Sequence, residues 1–144
     1  MNNINTIQSL TQTTFDSVEG YKVAMQKAES PALTSALDRH LNSRQETLAR
    51  LNTALERQGE NRITSKSMSA DAHQMFTSIS DAFSDGDEAA AKRVEEGEDY
   101  IAGKFKDALE DKELDMESRN LLQGAYQEIA QGERFSDMLE KQYS

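Results

Sequence analysis

Along most of the chain, apolar residues return every three or four positions, the period of an α-helix with one buried face. The first series runs Ile4, Ile7, Thr11, Thr14, Val18, Tyr21, Met25 and Ala28 and predicts a helix over about 5–29. Its two threonines weaken the stripe near the N-terminal end. Leu37, Leu41, Arg44, Leu48, Leu51 and Leu55, flanked by Leu33, predict a second helix over about 31–58. Ser30 and Pro31 read as its N-cap and first helical residue, since the serine oxygen can accept an orphan amide and proline already holds a helical φ. Gly59 marks its end.

A polar stretch from Glu60 to Ser69 reads as a connection. Ala72, Met75, Phe76, Ile79 and Phe83 then outline a short amphipathic helix over 70–83, closed by the turn Ser84-Asp85-Gly86-Asp87. Beyond it, Ala90, Val94, Gly97, Ile101, Phe105 and Ala108 predict a helix over 87–111. After a turn about Lys112, the series Leu122, Ala125, Ile129, Gly132, Ser136, Leu139 and Tyr143 predicts another over 115–142. Runs of alternating β-branched residues are missing, so no sheet is expected. The first and last connections are short enough to demand antiparallel hairpins, whereas the middle one is long. The expected architecture is one all-α domain over 1–144: a ferritin-like four-helix bundle with two antiparallel hairpins and a long crossover carrying a short extra helix. An up-and-down bundle with a decorated loop is the runner-up.

Only 36% of the 144 residues are hydrophobic, which suffices for a bundle because two or three positions in seven supply its core. Sixteen Lys and Arg against 26 Asp and Glu give a net charge of -10, a surface that repels phosphate backbones, so no nucleic-acid partner is expected. The absence of cysteine removes disulfide and thiolate chemistry and agrees with a reducing compartment. No segment approaches the ~20 apolar residues of a membrane span, and the stretch from Met1 to Thr14 lacks a secretory pattern. The expectation is therefore no membrane insertion and a cytoplasmic location.

The sequence contains no nucleophile elbow, no phosphate-cradling glycine loop and no paired His and Asp of a triad. A di-iron bundle takes a Glu-x-x-His pair from each of two helices, because three-residue spacing aims both ligands inward. Neither His40 nor His73 follows a glutamate by three. What remains is Glu95 and Glu98 on the third long helix, and Glu128 followed by Gln131 on the fourth. Folding about Lys112 brings these regions level. Glu95, Glu98 and Glu128 are therefore the candidate metal ligands, with Asp16, Glu19 and Glu46 contributing less, since carboxylates alone can hold a hard cation. The plainer reading leaves them as solvated helix-face acids with no cofactor; iron or another divalent metal is the alternative.

Arg44 interrupts a leucine stripe. As a structural residue of the polar core it needs an acidic partner, with Glu98 or Glu19 as candidates; otherwise its stem packs and its head snorkels to water. Gly97 and Gly132 also fall on stripes, where a helix glycine costs about 1 kcal/mol relative to alanine. They would permit close approach of the last two helices, make room for Tyr100 and Phe135, or leave a ligand pocket. Met25, Met75 and Met138 read as core filler.

Asp16-Ser-Val-Glu-Gly-Tyr21, Ala28-Glu-Ser-Pro-Ala-Leu33, Arg44 ahead of its leucines, Glu95-Glu-Gly-Glu-Asp99 and Phe105-Lys-Asp-Ala-Leu109 together resemble a family. It is the bacterial four-helix-bundle domain family of unknown function DUF2383, and the likeness spans roughly 5–140. The resemblance implies a ferritin-like bundle without an established reaction and would put carboxylate ligands near Glu95 and Glu128. The chain departs from the ferritin-like pattern at Gln131, which stands in place of a histidine, and from related sequences at Glu133, where another histidine is expected. The leading functional expectation is a non-enzymatic protein of the bacterial cytoplasm, tied to stress response, that acts by contact with a protein partner or as a homo-oligomer. An apolar patch of Phe76, Ile79 and Phe83 would be its contact surface. The alternative is a di-iron-like oxidoreductase or metal-storage bundle with a degenerate carboxylate site.

Overall fold

A computed structural model describes residues 3–65 and 86–143. The short helix expected over 70–83, with its apolar patch, His73 and Met75, lies outside the described residues. Four long helices account for most of the rest: α1 (Ile4–Lys27), α2 (Pro31–Arg57), α3 (Asp87–Leu109) and α4 (Met116–Tyr143).

Local chemistry sets their ends. Proline disfavours a helical conformation in the residue before it, and Ser30 is extended at φ -73° and ψ 128°, its side chain accepting from the Leu33 amide. The preceding Ala28 is extended too, so α1 stops at Lys27, two residues before the expected end. At the other end of α2, Gly59 takes φ +79°. The amides of Gly59 and Glu60 return to the carbonyls of Glu56 and Leu55, a pairing that needs a residue tolerant of positive φ. Asp115 caps α4 by accepting from the Ser118 amide, and Arg119 reaches back to the carbonyls of Leu109 and Asp111, closing the α3–α4 turn.

The helices pack as an all-α four-helix bundle. α1 lies against α2 and α3, α3 lies against α4, and the α2–α4 side closes most loosely. Each neighbouring pair is antiparallel. That arrangement makes α2 and α3 parallel, so their link must climb the length of the bundle, as the sequence pattern predicts. Its first part runs beside α1 and α2: Gln8 donates to Glu60, Gln12 donates to the Ser65 carbonyl, and the Asn52 amide both donates to and accepts from the Ile63 backbone. At the far end, Asp87 accepts from the amides of Glu29 and Ser30, and the Gly86 amide donates to the Lys27 carbonyl.

The core is divided. Val18, Tyr21, Leu33, Leu37, Leu41, Val94, Phe135 and Leu139 belong to one apolar cluster. Leu10, Leu51, Ile101, Phe105, Leu122 and Ile129 belong to a second. Between them every helix contributes polar or small buried residues: Thr14 and Ser17 from α1, Arg44 and Thr47 from α2, Glu98 from α3 and Gly132 from α4. The Thr11 and Thr14 hydroxyls are satisfied by carbonyls one turn back on α1, which lets them lie fully inside.

Two expectations about packing need correcting. Met138 is 64% exposed and is not core filler. On α3 it is Glu98, not Gly97, that faces inward. The buried series steps four residues from Val94 to Glu98 before returning to Ile101, whereas the predicted stripe stepped three to Gly97.

Candidate functional site: a buried guanidinium–carboxylate centre

Arg44 is completely buried. Its Nη1 and Nη2 donate to the two oxygens of Glu98, each at 2.8 Å, giving the parallel fork that a planar guanidinium makes with a carboxylate. Nε donates to Glu128 at 2.8 Å, and Nη1 also donates to the Ser17 hydroxyl. The Tyr21 ring lies 5.7 Å from the guanidinium carbon, near the outer limit of a cation–π contact. One side chain of α2 therefore joins all four helices.

Burial alone would depress the Arg44 pKa, but the charge and hydrogen bonds of Glu98, with Tyr21 and Glu128 beside it, push it well above its usual value. Glu98 is raised chiefly by burial, which its bonds to Arg44 offset only in part, and the Glu128 charge raises it further. Tyr21 is raised well above its ordinary range by burial first and by the Glu98 charge second. Its hydroxyl is buried beside that carboxylate, and a side-chain hydrogen bond between the two adds to the rise in Tyr21 while lowering Glu98.

Gly132 of α4 completes the centre. A Cβ placed there would fall 1.7 Å from Glu98 Oε2 and 2.7 Å from Arg44 Nη2. The glycine does bring α3 and α4 together, as expected, but what it accommodates is the ion pair. Phe135 instead stacks on His40, with ring centroids 3.7 Å apart and planes 8° from parallel. His40 is half-buried, and its pKa is lowered mainly by burial.

The other candidate residues separate. Glu95 lies among Lys92, Asp99 and Glu140, with Lys92 Nζ 3.7 Å from its carboxylate; burial raises its pKa, Lys92 opposes the rise, and Glu140 and Asp99 reinforce it. Glu19, weighed as a partner of Arg44, pairs with Lys22 instead. Glu46 and Gln131 are exposed, and Glu133 lies 3.7 Å from Lys106. Asp16 is buried and accepts from Gln12. Glu98 and Glu128 thus meet inside the bundle on the Arg44 guanidinium, which corrects the plainer reading of them as solvated helix-face acids, and Glu95 stands apart. Among the described residues, no three carboxylate or imidazole groups are placed to hold a metal ion. Nor is any helix among them long and apolar enough to cross a membrane.

A family model described as a domain of unknown function, DUF2383, matches residues 2–111, well over half of the chain. The chain belongs to the DUF2383 family. No curated protein and no solved structure gave a significant match. The DUF2383 match takes in Ser17, Tyr21, Arg44 and Glu98 and ends before α4, which brings Glu128 and Gly132. Sequence reasoning missed Ser17 and Glu128 as partners of Arg44. One signal was available for the second: Glu128 precedes the stripe glycine Gly132 by four residues, the spacing that puts two positions on one helix face.

A cleft of about 310 Å³ lies where α1 and α4 begin and α2 ends, lined by Ile4, Ile7, Ala54, Arg57 and Leu121 among others. Beside Gly97 there is only a void of about 10 Å³, too small for an organic ligand. The expectation of a ligand pocket beside Gly97 and Gly132 is corrected accordingly, because Glu98 and Arg44 fill the place at Gly132.

Proposed function

We propose that this DUF2383 protein is a non-catalytic, acidic bundle of ferritin-like connectivity that acts through its surface. It would bind a protein partner or further copies of itself in the bacterial cytoplasm, with a role in stress response. The observation that carries the reading is the use to which the interior polar groups are put. Glu98 gives both oxygens to Arg44, and Glu128 gives one. A centre arranged in this way fixes the relative positions of four helices and commits the Glu98 carboxylate to the Arg44 guanidinium. The up-down-down-up course of the helices supports the ferritin-like assignment, which also follows from the family resemblance.

The metal-binding reading through Glu95, Glu98 and Glu128 is less well supported. The donor set does not suit a cation while Arg44 stands between two of its members and the third keeps company with Lys92 and Glu140. Elemental analysis of protein purified without chelator, run beside light scattering for the oligomeric state, tests both readings. The surface reading expects no stoichiometric metal and either a defined oligomer or a monomer that captures a specific partner. Stoichiometric iron, manganese or zinc that disappears in Glu95→Ala and Glu128→Ala would replace it with the metal reading.

A further inference from the structure

One end of the bundle carries a projection and a hollow side by side. The hollow is the cleft of about 310 Å³ where α1 and α4 begin and α2 ends, and its apolar walls are Ile4, Ile7, Ala54 and Leu121. The projection is Met116, the first residue of α4, which at 73% is the most exposed large hydrophobic side chain among the described residues. The residues on either side of it, Asp115 and Glu117, both line the cleft, so Met116 stands at its lip. A side chain in the first turn of a helix leans toward the helix's own N-terminus, here out past the end of the bundle.

Charge divides the same cleft. Arg57 stands on its α2 wall, and Asp115 and Glu117 stand on its α4 wall. All three are exposed, and none has an ion-pair partner among the described residues. A patch that holds both a knob and its hole, and both a cation and its counter-ions, is complementary to a rotated copy of itself. Because these features share one patch, the contact is reciprocal and closes at two copies, whereas a knob at one end and a hole at the other would build an open chain. An unbranched methionine suits a hollow of irregular shape. The net charge of -10 opposes association, and setting Arg57 against the acids of the other copy lowers that repulsion where the two ends meet.

We propose that this end of the bundle is a two-fold self-association face, in which Met116 of each copy enters the cleft of the other and Arg57 of each meets Glu117 of the other. The inference rests on the reading of the protein as one that acts through its surface, and it names both the surface and the partner, a second copy of this chain.

Sedimentation velocity of the full chain over a range of concentrations at physiological salt tests the face. The wild type is expected to show a reversible monomer–dimer equilibrium. Met116→Asp puts an acid at a helix N-terminus, where it does not harm folding. It should weaken the dimer roughly a hundredfold, since two apolar side chains lose their burial and each is worth on the order of tenfold or more. Met138→Asp is the control: Met138 is 64% exposed but lies about 33 Å further along α4, and the substitution should leave the equilibrium unchanged. Arg57→Glu should also weaken the dimer, and Arg57→Glu combined with Glu117→Arg should recover most of it. A monomeric wild type would overturn the proposal and leave the surface reading to a different protein partner. So would a dimer indifferent to Met116→Asp, which leaves self-association standing through another face.

Discussion

Gly132 and Glu98 occupy one place: the carboxylate of α3 lies where the Cβ of any other residue on α4 would be, with Oε2 1.7 Å from that position. A carboxylate at the end of a free side chain could move aside. This one is held at 2.8 Å by both terminal nitrogens of Arg44 and has no solvent to move into. Gly132→Ala gains about 1 kcal/mol in helix propensity, yet it overpacks the interior at about 1–3 kcal/mol and disturbs charge-assisted hydrogen bonds of similar worth. The expected net loss is roughly 2–4 kcal/mol by urea denaturation with unchanged slope. Gly124→Ala, on the same helix with nothing within 4 Å of its Cβ, is the control and gains about 1 kcal/mol. Equal effects of the two substitutions would show that the ion pair does not require the glycine.

Removing Arg44 strands two carboxylates inside the bundle. Arg44→Met keeps the length and volume of the side chain but not its charge, and breaking a buried pair in this way costs about 3–5 kcal/mol. Glu98→Gln alone is also destabilising, because it leaves the guanidinium with a donor facing its fork. Combined, the two changes should lose less than the sum of the singles, with a coupling of roughly 1–3 kcal/mol in a double-mutant cycle. Arg44→Lys should not rescue, since a single ammonium cannot span Glu98, Glu128 and Ser17 in the guanidinium plane. Additive singles would mean that the pair contributes packing and no mutual interaction.

Reading the chain alone recovers the helices because their stripes are long and strictly periodic, and because Pro31 and Gly59 punctuate them chemically. Arg44 stands out for the same reason, as a charge inside a leucine series. Its partners are harder to see. Glu98 lies one place off the stripe drawn through Gly97, and choosing between three- and four-residue steps at one turn of α3 needs the neighbouring helix. Glu128 is legible only as an acid near Gly132, and Ser17 carries no signal on an α1 that also bears Thr11 and Thr14. Periodicity says which face of a helix is buried. It does not say which polar residues from four helices come to one level, since that depends on the offsets between helices.

The carboxyl groups near Glu95 predict a dependence on pH. Burial raises the folded-state pKa of Glu95, and the nearby Glu140 and Asp99 charges add to that rise against Lys92. Folded protein then binds more protons than unfolded protein between the ordinary carboxylate value and the raised one, so stability falls as pH rises through that window. Both Glu95→Gln and Glu140→Gln should flatten this part of the stability profile. His40 contributes the opposite sign in a different range: its folded-state pKa is lowered, and the stability it brings above its ordinary value is lost as pH falls. Urea titrations at a series of pH values resolve the two. A slope just above the ordinary carboxylate range that survives Glu95→Gln would assign it elsewhere.

Asn52 predicts where the crossover is fastened. It is 2% exposed, and its amide imitates a peptide group, accepting from the Ile63 amide at 2.8 Å and donating to the Ile63 carbonyl at 3.2 Å. No other side chain of similar size presents a donor and an acceptor side by side except glutamine, whose extra methylene moves both out of place. Asn52→Ala leaves the Ile63 backbone groups without these partners and should cost about 1–3 kcal/mol. Asn52→Asp keeps the acceptor and loses the donor, so its cost should be intermediate. Gln8 and Gln12 touch the same strand of chain nearer the surface, and their replacement by alanine should cost less than that of Asn52. The sharper readout is limited proteolysis. If Asn52 holds the crossover against α2, cleavage within 60–65 should accelerate in Asn52→Ala while the helices keep their circular dichroism. Unchanged cleavage would mean that the contacts at Glu60 and Ser65 suffice to hold the segment.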